Sequence, residues 1–126
     1  MTEPTAQARA AAVLRLALEL MRGLSAGLLN EQRFAARADD LLLVAAVYIG
    51  QADGKPMPAA KLAQYAGLAR PTAVRRLGEM EAAGVVCALP GKRYVLAGGF
   101  MERAEAVQAI AAAAAQLDRW SRAPKG

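Results

Sequence analysis

Residues 59–97 read AAKLAQYAGLARPTAVRRLGEMEAAGVVCALPGKRYVLA, and the order of elements written in that stretch decides the fold. Leu62, Ala63 and Ala66 give a short helix its apolar side from about Ala59 onward. Gly67 supplies the left-handed residue that a tight turn between helices needs, and Leu68 returns to the core. A second helix, 70–83, opens at Arg70-Pro71-Thr72. A proline suits its first turn, where the missing N–H would have had no partner. Ala73, Leu77 and Met80 fall at i, i+4 and i+7 and form its core face. That spacing puts Arg75 on the opposite side, with Arg70, Thr72 and Arg76 flanking it. Gly84 ends the helix. Val85-Val86-Cys87-Ala88-Leu89 and Arg93-Tyr94-Val95-Leu96 then read as strands joined at Pro90-Gly91.

Working outward, Lys55-Pro56-Met57-Pro58 is held extended by its two prolines. Residues 37–52 form a helix with Asp39 and Asp40 in its first turn, where the helix dipole favours acids. Its inner face is expected at Leu41, Val44, Ala45 and Tyr48. The N-terminal helix, 5–30, carries Val13, Leu16, Ala17, Leu20, Leu24 and Leu28 at helical spacing, with Leu14, Leu18 and Met21 beside them. Gly23, Gly27 and Asn30 suggest that it weakens or stops near residue 30. At the other end, 99–121 is a helix whose Val107, Ile110, Ala114, Leu117 and Ser121 step by three and four. Two long terminal helices hold more apolar surface than the middle can bury, so both are expected to serve as dimerisation helices in a homodimer. The fold class is therefore mainly α with a small β-hairpin (α+β). The chain reads as a single domain, 1–126, with helix-turn-helix and hairpin at 37–97 between the two terminal helices.

Charge and composition narrow the function classes. The chain of 126 residues has a net charge of +5. Between Lys55 and Tyr94, seven basic residues (Lys55, Lys61, Arg70, Arg75, Arg76, Lys92, Arg93) face two acidic ones (Glu79, Glu81), an excess equal to that of the whole chain. Such a block suits a phosphate backbone; an ordinary solvated surface is the plainer alternative. No apolar run reaches the roughly 20 residues of a membrane span, and the N-terminus lacks a signal pattern, so a soluble cytoplasmic protein is expected. With no histidine, the commonest general base and metal ligand is missing. The single cysteine, Cys87, is expected in a buried strand as a packing residue. Asp39-Asp40 is a helix start and Asp53-Gly54-Lys55 a turn. No enzyme, catalytic residue, cofactor or metal is expected.

The stretch KLAQYAGLARPTAVRRLGEMEAAGVV, with the hairpin after it, resembles the winged helix-turn-helix of bacterial transcription regulators. With helices on both sides, the whole resembles a MarR-type regulator. The resemblance implies a sequence-specific double-stranded DNA-binding transcription regulator, a repressor, with helix 70–83 in the major groove. Arg75 is the expected base reader and Arg70, Thr72 and Arg76 its neighbours. Lys61 would touch the backbone, and Lys92 and Arg93 would reach out from the wing. It also implies a small-molecule effector, for which Tyr48, Tyr65 and Trp120 are the candidate pocket residues. Ala69 stands where related proteins usually carry a capping serine, Val74 where a small polar residue is common, and Gly91 where an aspartate steadies the wing arginine. A reading from another class remains open: a winged-helix protein–protein interaction module of a larger complex, without specific DNA binding.

Overall fold

The computed structural model describes residues 2–122; Met1 and residues 123–126, which the expected single domain took in, lie outside it. The chain is mainly helical with a small three-stranded antiparallel sheet. Helix α1 spans Thr2–Leu29 and, after a 3-10 turn at Phe34–Arg37, helix α2 spans Ala38–Ala52. Strand β1 (Met57–Pro58), helices α3 (Ala59–Ala66) and α4 (Arg70–Ala82), strands β2 (Val86–Leu89) and β3 (Arg93–Leu96), and helix α5 (Ala104–Arg122) follow. Two compact units result: α1 with α5 make one, and residues 37–103 make the other. Among the described residues, no helix is long and apolar enough to cross a membrane.

In the 37–103 unit, α2 is the central helix, but it is rotated relative to the expected face. Leu41, Leu43, Val44, Ala46, Val47 and Gly50 are buried, whereas Ala45 and Tyr48 are exposed. The run Leu41-Leu42-Leu43-Val44 fits several faces, and close packing at Gly50 selects among them. A Cβ there would lie 3.0 Å from the Lys55 carbonyl oxygen and 3.0 Å from Met57 Cε. The glycine thus lets the chain fold back directly onto the helix. Asp40, in the first turn, is buried and accepts a hydrogen bond from Arg37 Nε at 3.0 Å.

The sheet has one strand more than the expected hairpin. The extended Met57–Pro58 pairs antiparallel with β3 (Met57 opposite Tyr94, Pro58 opposite Arg93), giving the order β1-β3-β2. Pro58 is tolerated because β1 is an edge, where a missing N–H breaks no ladder. Gln51 Oε1 accepts from the Leu96 N–H at 2.8 Å and fastens β3 to α2. In β2 only Val86 reaches the core. Cys87, expected to be buried, is exposed, because side chains alternate along a strand and, with Val86 turned to the core, Cys87 faces the other side. Residues 98–103 form turns, so α5 begins at Ala104 rather than near 99. Arg103 Nε donates to the Phe100 carbonyl at 2.7 Å and its guanidinium lies 4.1 Å from the Phe100 ring centroid.

In the other unit, α1 passes through Gly23 and Gly27 without a break and ends at Asn30, whose φ is +54°. Gly27 is a contact point: a Cβ there would overlap Ala109 Cβ and come 2.9 Å from the Glu105 carbonyl oxygen. Further along, Gln116 Nε2 donates to Glu19 Oε1 at 3.4 Å. Early residues of α1 thus meet late residues of α5, an antiparallel pair. The α5 stripe turned to α1 is Ala106, Ala109, Ala113, Gln116 and Trp120. The expected seam of Val107, Ile110, Ala114, Leu117 and Ser121 lies beside it and is exposed. On α1, Val13, Leu14 and Leu18 are exposed as well, Leu14 at 64%.

Candidate functional site

The turn that sets α4 follows from the sequence around Gly67. Its φ of +74° is the left-handed conformation expected there. The Leu68 N–H reaches back to the Ala63 carbonyl at 2.9 Å and the Gly67 N–H to Gln64 at 3.3 Å. This is a Schellman closure, which satisfies carbonyls that the end of α3 would leave open. Gly84 (φ +79°) repeats it at the end of α4, where the Val85 N–H bonds Met80 O at 2.8 Å and the Gly84 N–H bonds Glu81 O at 3.1 Å. At the start of α4, Ala69 has the extended N-cap conformation (φ −64°, ψ 142°) but offers no side-chain cap.

Ala73, Leu77 and Met80 bury one face of α4, as expected from their spacing. The opposite face consists of Pro71, Arg75, Gly78 and Ala82, with Val74 on one flank and Glu79 on the other. Arg75 and Arg76 differ in environment. The Arg75 side chain is 59% exposed and that of Arg76 32%. Arg76 Nε is buried with no hydrogen-bond partner among the described residues. Both guanidinium groups share one carboxylate, with Arg75 Nη1 3.8 Å from Glu79 Oε2 and Arg76 Nη1 3.5 Å from Glu79 Oε1. Exposed pairs of this kind contribute on the order of 0.2–1 kcal/mol, so an incoming anion can displace them at little cost.

All seven basic or polar residues expected at a nucleic-acid surface belong to the 37–103 unit. Lys61 on α3, Arg70 and Arg75 on α4, and Lys92 and Arg93 at the hairpin are exposed, whereas Thr72 and Arg76 are half-buried. Lys92 closes the β2–β3 turn with φ +57°, its N–H bonded to Leu89 O at 2.9 Å. Arg93 Nη1 donates to the Pro56 carbonyl at 3.4 Å, so this side chain lies back across the edge strand rather than reaching away from the hairpin. Sequence reasoning placed the arginines but did not foresee that Gly78 leaves the middle of the outer face of α4 bare. A Cβ at Gly78 would meet nothing within 4 Å. A glycine at i+3 from Arg75, inside an otherwise good helix, was the available signal.

The three aromatic candidates fall in different units. Tyr48 and Tyr65 are exposed on α2 and α3. Trp120, on α5, is half-buried and lines an open cavity of about 260 Å³ with Ala12, Arg15, Leu16, Glu19, Gln116 and Arg119. Among the described residues, no cluster of three or more His, Cys, Asp or Glu side chains could hold a metal ion. No protein-family model matches the chain, and neither a curated protein nor a solved structure matches it.

Proposed function

We propose that this chain is a sequence-specific double-stranded DNA-binding transcription regulator of the winged helix-turn-helix, MarR-like type, acting as a homodimer. The observation that carries the reading is the arrangement of α4. Its core face is fixed by Ala73, Leu77 and Met80, and Arg75 stands on the opposite face with most of its length in solvent. A guanidinium fork held in that way suits bidentate recognition of guanine O6 and N7. Arg70, Thr72 and Arg76 serve the adjoining phosphates or bases, Lys61 the backbone, and Lys92 the backbone from the short wing. Arg93, turned toward Pro56, steadies the wing more than it extends it. The exposed apolar stripes of α1 and α5 support self-association, since a second copy of the pair covers Leu14, Leu18, Ile110 and Leu117. Trp120 and the arginines around its cavity are the better-supported part of an effector site.

The deciding experiment selects bound duplexes from a random pool, with Arg75→Ala carried alongside. One enriched motif is expected, bound with an affinity that falls steeply with salt. Arg75→Ala costs about 1–3 kcal/mol on that motif and little on random DNA. Equal losses on both sink the assignment of Arg75. A second reading, a protein-docking winged helix, draws on the exposed Tyr65 and Val74 beside the arginines. Failure to enrich any motif at low salt favours it.

A further inference from the structure

On the proposed reading of α4 as the helix in the major groove, Val74 lacks a structural role and has the chemistry of a base reader. It is half exposed, at 50%, on a helix whose core is already supplied by Ala73, Leu77 and Met80. A β-branched residue is also a poor choice for helix propensity, because its χ1 is restricted against the preceding turn. Neither packing nor local conformation therefore accounts for valine at this position. Its surroundings leave the two methyl groups accessible. One turn further on, Gly78 has no side chain, and a Cβ there would meet no atom within 4 Å. Arg75, its neighbour in sequence, leans toward Glu79, on the far flank of the helix.

We infer that Val74 reads the C5-methyl group of a thymine, one base pair from the guanine addressed by Arg75, and that Gly78 is the gap through which the base edges approach. The thymine methyl is the one apolar feature of the major-groove code, and an apolar side chain is its natural complement. Residues 74 and 75 diverge by about 100° around the helix axis, so their side chains address neighbouring positions rather than the same base pair. A backbone stripped of Cβ at Gly78 permits close approach to a ligand.

The test uses the full chain and the duplex enriched by selection with the wild-type protein. Each thymine of the motif is replaced in turn by deoxyuridine, which differs only in lacking the C5 methyl. At one position the wild-type protein is expected to bind about fourfold more weakly, the weight of one methyl group withdrawn from a buried contact. Val74→Ala is expected to bind the thymine and deoxyuridine duplexes equally. Val74→Thr, which keeps a single methyl, retains part of the difference. Alanine at an exposed helical position preserves the fold, and a circular dichroism melt checks it. The inference is overturned if a motif is enriched but no thymine shows the effect, or if the loss persists unchanged in Val74→Ala. In either case the DNA-binding reading stands. If no duplex is enriched, that reading and this inference fall together.

Discussion

Two helix-interior glycines make opposite demands on the same substitution. Gly78 lies inside α4 with open space where a Cβ would go. Gly78→Ala therefore gains helix propensity with no steric cost, about 0.8–1 kcal/mol. Gly27 lies inside α1, and its new Cβ would overlap Ala109 Cβ and crowd the Glu105 carbonyl, neither of which has a flexible end to move aside. The same propensity gain is then set against an overpacking cost of about 1–3 kcal/mol, leaving a net loss near 1 kcal/mol. The chain carries its own two reporters. Its three tyrosines, Tyr48, Tyr65 and Tyr94, all lie within 37–103, and its single tryptophan, Trp120, lies on α5. Urea unfolding followed by each fluorophore should show the tyrosine midpoint of Gly78→Ala rising by about 0.5 M, given a slope of about 1–3 kcal/mol/M. The Trp120 midpoint of Gly27→Ala should fall by a similar amount. A Gly27→Ala protein as stabilised as Gly78→Ala refutes the close approach of α1 to α5. A Gly78→Ala protein that is destabilised refutes the open outer face of α4.

Ala69→Ser supplies the missing N-cap of α4 and should raise the stability of the 37–103 unit by about 1 kcal/mol, measured by the same tyrosine signal. Leu14→Asp with Leu18→Asp places charges on the exposed stripe of α1 and should convert the proposed dimer into folded monomer in sedimentation velocity; an unchanged dimer assigns self-association to another surface. If the dimer is two-fold symmetric, the motif enriched by selection should be an inverted repeat, and a single asymmetric half-site argues against that symmetry.

The segment of α3, the Gly67 turn and α4 was legible because each of its boundaries rests on a residue with a local physical reason. Gly67 and Gly84 adopt the left-handed conformation that closes α3 and α4, and Pro71 occupies the first turn of α4. The core face of α4 followed from three residues at i, i+4 and i+7, with Arg75, Arg76 and Glu79 among the residues separating them. What escaped the sequence depended on partners distant in the chain. Helix α2 is apolar nearly all round, so its periodicity could not choose the face that Met57 and Lys55 select at Gly50. Strand β1 exists because β3 pairs with it, and two residues carry no period to read. In α5 the larger apolar residues formed the more visible seam, yet the inward stripe starts on alanines, because around Gly27 and Ala109 the helices come too close for anything larger, and only toward its end does it carry Gln116 and Trp120. Of the candidate site, the placement of Arg75 opposite the core face was foreseen. The half-burial of Arg76 and the turn of Arg93 toward Pro56 were not, since both depend on packing and pairing beyond the helix itself.

On the proposed DNA-binding reading, the exposed stripes and α4 are linked by the energetics of discrimination. One α4 offers few groups able to read bases. A bidentate guanine contact from Arg75 is worth about 1–3 kcal/mol against the wrong base, and an apolar contact from Val74 adds somewhat less. Specific sites are typically preferred over non-specific DNA by about 4–10 kcal/mol. A single copy of this helix therefore falls short, whereas two copies bound at once double the base-reading contribution and bring it into that range. The proposed phosphate contacts from Lys61, Arg70 and Lys92 would not make up the difference, because they would be made equally on every sequence. On that reading, a chain with so few base readers would need a second copy of itself to be specific. The apolar residues that α1 and α5 leave in solvent, Leu14, Leu18, Ile110 and Leu117, are the surface from which such a dimer can be built.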